Sequence, residues 1–170
     1  MRKLDYVPNG LIEILNYYGN PDTDNNFKVD QEWYDANISD YKLPFPLRLA
    51  WNVNKIIEYL PLHMKVAESF LDAMKEIGVQ VGVQELRKLD MDRTAGTFCF
   101  RPVKNGTALS THSWGISVDL NSHVAGWGAG PETQLGVIID VFKRRGCVWG
   151  GDWKAPWICD PQHFQAVRNY

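Results

Sequence analysis

The sequence predicts an α+β fold, a small antiparallel sheet with helices packed on one side, from three observations. Val66, Ala67, Phe70, Leu71, Met74 and Ile77 recur at helical spacing, the clearest amphipathic pattern in the chain. A second such pattern places Leu135, Ile138, Ile139 and Phe142 on one face. Between them, Ile116, Val118 and Leu120 alternate with Ser117 and Asp119, the period of a half-buried strand. With 170 residues and no repeat, low-complexity tract or interdomain linker, one domain over residues 1–170 is expected. Residues 1–78 read as its largely helical part, and 79–170 as the sheet carrying the site.

In chain order, Asn9 can cap a helix running through Leu11, Ile12, Ile14 and Leu15, which Gly19 would end. Residues 20–37 are polar and turn-rich, a loop with one short element around Val29 to Tyr34. Leu43-Pro44-Phe45-Pro46-Leu47 is expected to be irregular, because two prolines restrict their neighbours. Trp51 to Tyr59 reads as a short helix. Pro61 suits the first turn of the long helix, with Gly78 as its stop and His63 as a solvated or capping residue rather than a ligand. Val79 to Leu86 alternates loosely, as the first strand of the sheet would. Leu89 to Ala95 is a polar connection, and Phe98 to Arg101 a short strand entering a turn over 102–106. Gly126 to Gly130 lacks the spacing and the lysine of a phosphate loop and is read as a flexible loop. Pro131 opens the second helix, whose last turn holds Lys143, Arg144 and Arg145, charges that suit its dipole. Cys147 to Trp149 and His163 to Gln165 read as two more short strands.

The formal net charge of −2 excludes the basic footprint of a nucleic-acid binder and leaves no polybasic patch for a membrane. No apolar run approaches spanning length. Met1-Arg2-Lys3 is basic, but Leu4 to Pro8 offers no apolar signal-peptide core, so the expectation is a chain made soluble in the cytoplasm. Cys99, Cys147 and Cys159 are an odd set without C-x-x-C spacing, expected as buried reduced thiols. A sharper alternative puts Cys147 or Cys159 on a metal, although thiolate-rich sites are usually closed and structural.

The chemistry concentrates in Ser110 to Asp119. His112 and Asp119 offer imidazole nitrogen and carboxylate oxygen, both good ligands for a borderline metal such as zinc. Ligands seven apart cannot meet on one straight strand, and Gly115 permits a bend that swings His112 back over the polar face of Ser117 and Asp119. A third ligand is needed, and His163 in Asp160-Pro161-Gln162-His163-Phe164 is the best candidate.

Together, Ser110-x-His112-x-x-Gly115-x-x-x-Asp119 and Asp160-Pro161-Gln162-His163-Phe164 resemble the M15 zinc peptidases of bacterial cell-wall peptides. These include D-alanyl-D-alanine carboxypeptidases and phage L-alanyl-D-glutamate endolysins. Trp149-Gly150-Gly151-Asp152-Trp153 is similar to the segment before the last histidine in one branch. The resemblance covers Phe98 to Gln165, and Ser117 departs from it where alanine is usual. It implies a fold shared with Hedgehog-type signalling domains and a peptidoglycan stem peptide as substrate, cut at a terminal D-alanine or inside the stem. A monomer is expected, needing neither nucleic acid nor membrane. The absent leader leans towards a lysin that reaches the wall after release.

Three ligands and one open position suit a catalytic zinc, which lowers the pKa of a bound water to about 7. Amide hydrolysis then needs a proton acceptor and donor. Asp160 is the candidate, and the resemblance points to the same position; Pro161 would supply the turn that aims it inward. An ordinary turn aspartate is the competing reading. The resemblance also suggests Arg101 as stabiliser of the oxyanion, against a plain surface arginine. Ser110 can orient His112 or its loop. A Ser110–His112–Asp119 triad is a poor fit, since it leaves Asp160 and His163 unexplained, and His123 is a reserve ligand at best. Of seven tryptophans, Trp114, Trp127, Trp149, Trp153 and Trp157 lie near the site in sequence. They read as a substrate groove, with Trp114 and Trp149 foremost, or as core. A zinc-stabilised binding module without catalysis is the alternative function; a structural metal would need neither Asp160 nor Arg101.

Overall fold

A computed structural model describes residues 2–104, 106–154 and 159–170. The chain begins with α1 (Gly10–Tyr18) and α2 (Gln31–Asn37), then the hairpin of β1 (Ile38–Leu49) and β2 (Asn52–His63). The long helix α3 (Met64–Val81) follows, then α4 (Val83–Lys88), β3 (Arg93–Gly96), a 3-10 turn over Thr111–Trp114 and β4 (Ser117–Leu120). After α5 (Ser122–Ala125) and a 3-10 turn at Pro131–Thr133 come α6 (Gly136–Arg144), β5 (Val148–Trp149), a turn at Gly150–Asp152 and β6 (His163–Gln165). The strands form one sheet in the order β2-β1-β3-β4-β6-β5, with helices on one side. The class is α+β as expected, but the sheet is mixed, because β1 and β3 run parallel.

Several local expectations are corrected. Leu43 to Leu47 is the middle of β1: Leu43, Phe45 and Leu47 are buried while Pro44 and Pro46 face out. The prolines break the ladder only locally, where the pairing skips from Lys42–Tyr59 to Leu47–Ile57. Proline's φ is compatible with extended backbone, and here its missing N–H is removed from the ladder by that irregularity. Trp51 to Tyr59 is not a helix but β2, whose Val53, Ile56, Ile57 and Tyr59 favour strands. Residues 1–78 are therefore not largely helical, since they carry two of the six strands. Pro61 lies in β2, opposite Asp40, and α3 starts at Met64. The helix runs through Gly78, where a Cβ would stand 2.8 Å from the Phe45 ring, and stops at Gly82. Gly78 makes room for β1. Val79 to Leu86 is accordingly helix end and α4, and the first part of the sheet beyond α3 is β3, within the segment read as a connection. Phe98 to Arg101 forms no strand; Pro102 and Leu109 make one isolated bridge. Pro131 opens only its own 3-10 turn. Cys99 is exposed, unlike Cys147 and Cys159, and all three are free thiols.

The core sits between the sheet and its helices. Phe70 of α3 meets Phe142 of α6 edge-on at 5.6 Å, and Phe142 stacks on Phe164 of β6 at 4.7 Å. Val118 is Phe164's partner across the β4–β6 ladder and shares its buried face. Burying a phenylalanine of this kind is worth about 1.5–3 kcal/mol. Because side chains alternate along a strand, Ser117, Asp119, His163 and Gln165 project from the opposite face. Packing on one face thus assigns the polar row to the other. At the parallel pair, Arg48 of β1 places its Nε 2.9 Å from the buried carboxylate of Asp92, to which Arg87 also pairs. Among the described residues no helix is long and apolar enough to cross a membrane.

Candidate metal centre

The bend after the 3-10 turn brings the site together. Ser110 stands at the start of that turn, its Oγ accepting the His112 backbone N–H at 3.4 Å. Gly115 closes it at φ 63°, and its carbonyl accepts the His63 N–H at 3.0 Å. A Cβ there would stand 2.9 Å from Ile38 Cδ1 as well as straining the backbone. The turn folds His112 back over β4, where Asp119 lies directly opposite His163 of β6.

His112, Asp119 and His163 each direct a potential ligand atom into the same space, all within 4.8 Å of one another. Asp119 Oδ1 stands 3.2 Å from His112 Nε2 and 2.8 Å from His163 Nδ1. Ligand atoms on a tetrahedron about 2.0–2.1 Å from zinc lie roughly 3.3 Å apart, so both distances to Asp119 are near those of a zinc site. The hydrogen bonds also fix the tautomers. His112 Nδ1 faces the Thr97 carbonyl at 2.5 Å, an atom that only accepts, so Nδ1 carries the proton and Nε2 keeps its lone pair. The Gln165 amide donates from Nε2 to the carbonyls of Val167 and Tyr170, which turns its Oε1 to His163 Nε2 at 3.0 Å. His163 Nε2 is therefore the donor and Nδ1 the free base. Two lone pairs and one carboxylate oxygen converge, and the buried His112 Nε2 has no hydrogen-bond partner. Such a convergence demands a cation or a proton. Burial alone would push His163 down, but the Asp119 carboxylate reverses this and raises its pKa. Burial likewise acts to raise Asp119, and the two imidazoles outweigh it, leaving its pKa well below the usual carboxylate range.

Asp160 sits beside this triad. The His163 N–H donates to the Asp160 carbonyl at 3.0 Å, closing the turn through Pro161 and Gln162. The Asp160 N–H donates to Gly150, and the Trp149 indole Nε1 donates to the Pro161 carbonyl at 2.7 Å, so β5 and its following turn brace the loop. Asp160 is 7% exposed, and burial pushes its pKa up to about 6. Gln162 Nε2 donates to its Oδ1 at 2.8 Å.

A cavity of about 230 Å³ opens over these groups, walled by Arg101, Lys104, Trp127, Trp153 and Tyr170. Arg101 is exposed at its edge, with Nη1 3.3 Å from the Pro102 carbonyl. Trp114 is not a groove residue here: it is 1% exposed, and its Nε1 donates to the Gly19 carbonyl. Trp149 is buried too and supports the Asp160 turn from behind. Trp157 lies outside the described residues. His63 is a capping residue but not a solvated one, since it is fully buried and its Nδ1 accepts the Lys65 N–H at 3.1 Å. His123 lies elsewhere, 3.3 Å from Asp90, and neither Cys147 nor Cys159 joins the cluster. Sequence reading missed Thr97 and Gln165. The second was within reach, because a polar residue two beyond His163 shares its face; a backbone carbonyl such as that of Thr97 gives no signal.

Residues 104–166 match the family model described as D-alanyl-D-alanine carboxypeptidase. The stretch is less than half of the chain, and it contains His112, Asp119, Asp160 and His163 while Arg101 lies outside it. No curated protein and no solved structure matches the chain. The segment carrying the site is thus similar to M15 peptidases of the cell-wall type.

Proposed function

We propose that the chain is a zinc metallopeptidase that hydrolyses an amide bond in peptidoglycan stem peptides. The observation that carries this reading is the convergence of His112 Nε2, His163 Nδ1 and Asp119 Oδ1 beside a buried carboxyl at one end of a cavity. His112, Asp119 and His163 would hold the metal, each imidazole with its second nitrogen already committed to a protein acceptor. Zinc, when bound, supplies Lewis acidity and lowers the pKa of a coordinated water to about 7. Asp160 is the proton carrier: Gln162 occupies Oδ1, leaving Oδ2 to take a proton from the attacking water and return it to the departing amine. Burial raises the Asp160 carboxyl above an ordinary aspartate, the direction that suits a group that must both take and give a proton near neutrality. Arg101, at the edge of the cavity, would stabilise the oxygen that gains charge. Trp153 and Trp127 wall the cavity and limit water around the reacting amide. A non-catalytic zinc module explains neither the burial of Asp160 nor its place on the cavity wall.

Both a D-alanyl-D-alanine carboxypeptidase and an endolysin fit this chemistry. Digestion of purified muropeptides followed by mass spectrometry names the bond and separates the two. Rapid general proteolysis of casein, or turnover unaffected by prolonged chelation, would count decisively against the reading.

A further inference from the structure

Beside the metal centre lies a second cavity, of about 210 Å³, which the chemistry above leaves unused. Tyr170 lines both spaces, and the chain passes from Thr107–Leu109 at the second cavity to Ser110–His112 at the first. The Tyr170 hydroxyl donates to the Leu109 carbonyl at 2.8 Å, and Trp114 stands edge-on to its ring at 5.9 Å, so the partition is fixed. The far wall comes from outside the segment that matches the family model. It is built by Leu11 and Leu15 of α1, and by Asn20, Asn25 and Phe27 of the loop that follows.

Phe27 is the unusual member of this wall. It is 60% exposed and sits at φ 58°, a left-handed conformation rare for a bulky residue. The loop enforces it. Asp22 is buried, and its carboxylate accepts the N–H of Asn26 at 3.0 Å and of Phe27 at 3.2 Å. The Asn20 side chain in turn accepts the Asp22 N–H at 3.1 Å. An apolar ring held in water by strained backbone is not something folding requires, and it marks a surface that a ligand covers. The other lining groups define that ligand. No lysine or arginine lines the cavity, and its one carboxylate, that of Asp22, is taken up by two backbone donors, so nothing there balances a charge. A purely apolar ligand fits no better. The Asn25 amide and Asn20 Nδ2 have no protein partner among the described residues and would lose water without replacement. A neutral ring with C–H groups on its face and hydroxyl or amide groups on its edge meets both demands.

We infer that this cavity binds the N-acetylated sugar that carries the stem peptide, its C–H face laid on Phe27 and its polar edge bonded by Asn20 and Asn25. The inference rests on the peptidase reading above, because the shared Tyr170 wall lets one substrate reach from the metal centre into the second cavity. Phe27 is a specificity residue, acting through binding and not at the reacting bond.

The test uses the full chain loaded with zinc and two probes that share one peptide. The first is a muramyl pentapeptide, and the second is the same pentapeptide with an acetyl group in place of the sugar. In NMR titration the parent should bind the muramyl form about tenfold more tightly, with the largest shifts at Leu15, Asn20 and Tyr170. Phe27→Gly removes the ring and the strain together, so it should keep fold and zinc, melt no lower than the parent and bind both probes equally. Phe27→Tyr should retain the preference. Equal affinity of the parent for both probes overturns the sugar site, as does no detectable binding of the muramyl form. So does a preference that survives in Phe27→Gly, or one whose shifts bypass Leu15, Asn20 and Tyr170. Turnover judges the other reading separately. If neither probe is cut while the muramyl form still binds through Phe27, the peptidase proposal fails and the sugar site stands.

Discussion

A histidine presents two ring nitrogens, and a metal takes only the one whose lone pair is free. At His163 that choice is made by Gln165, whose amide is oriented by the carbonyls of Val167 and Tyr170. Gln165→Leu keeps the approximate size but frees the imidazole to turn over, so zinc affinity should fall about 10- to 100-fold in competition with a chelator. Unchanged affinity would mean that the strand alone fixes the ring. Asp160→Asn separates catalysis from structure. It should retain fold and zinc and lose about 10²- to 10⁴-fold of muropeptide turnover, mainly in kcat. A folded, metal-loaded and fully active mutant would remove Asp160 from the mechanism. The meeting of His112, Asp119 and His163, with Asp160 beside them, was legible because these residue types are chemically unusual in that spacing, and because Gly115 and Pro161 announce the two bends. Trp114 was not placed by the sequence, because nearness along the chain says nothing about which side of a turn a side chain takes; its indole is buried and donates to the Gly19 carbonyl.

At the scale of elements, both amphipathic patterns and the strand at Ser117 were legible, since one-sided burial writes its period into the chain. The β1–β2 hairpin was not. In Leu43 to Leu47 the alternation of apolar residues with proline is itself a strand signal, but proline ordinarily interrupts a ladder and so masks it. Gly78 misled for the opposite reason: it is absent of side chain to admit Phe45, not to stop the helix. The start of α3 gives a pH prediction. His63 is fully buried, its Nδ1 accepts from Lys65 N–H, and its Nε2 faces the Tyr18 carbonyl at 3.3 Å. A proton on Nδ1 would meet another N–H, and burial lowers the pKa from 6.5 to about 4. Between those values the unfolded chain binds a proton that the folded chain refuses, so stability falls as pH drops through the window and levels off below about 4. The full effect is on the order of 3 kcal/mol. His63→Asn retains a capping acceptor and should flatten this slope in melting curves from pH 7 to 4, whatever its constant offset. Parallel slopes for both proteins would assign the acid sensitivity elsewhere.

For the whole molecule, the proposed zinc would join segments far apart in the chain. His112 is on the turn after the Arg101 segment, Asp119 on β4 and His163 on β6, while His112 Nδ1 is anchored by Thr97 just beyond β3. Gly115, next to the same turn, is bonded to His63 at the junction of β2 and α3. A metal that binds only when these are assembled has little affinity for the unfolded chain, so occupancy adds directly to folding free energy. At free zinc about 100 times the dissociation constant the gain is ~2.7 kcal/mol, and for a chain of this size each kcal/mol moves Tm by about 2–4 °C. The melting temperature should therefore rise by roughly 5–11 °C on loading and return on chelation. His112→Ala should show no rise, because Asp119 and His163 alone leave the metal too few ligands, whereas Asp160→Asn should show the full rise. That contrast distinguishes a ligand from a proton carrier by calorimetry, without any substrate. If zinc left the parent's Tm unchanged and metal analysis found none bound, the three converging atoms would be a buried hydrogen-bonded triad, and the metallopeptidase reading would fall with the metal.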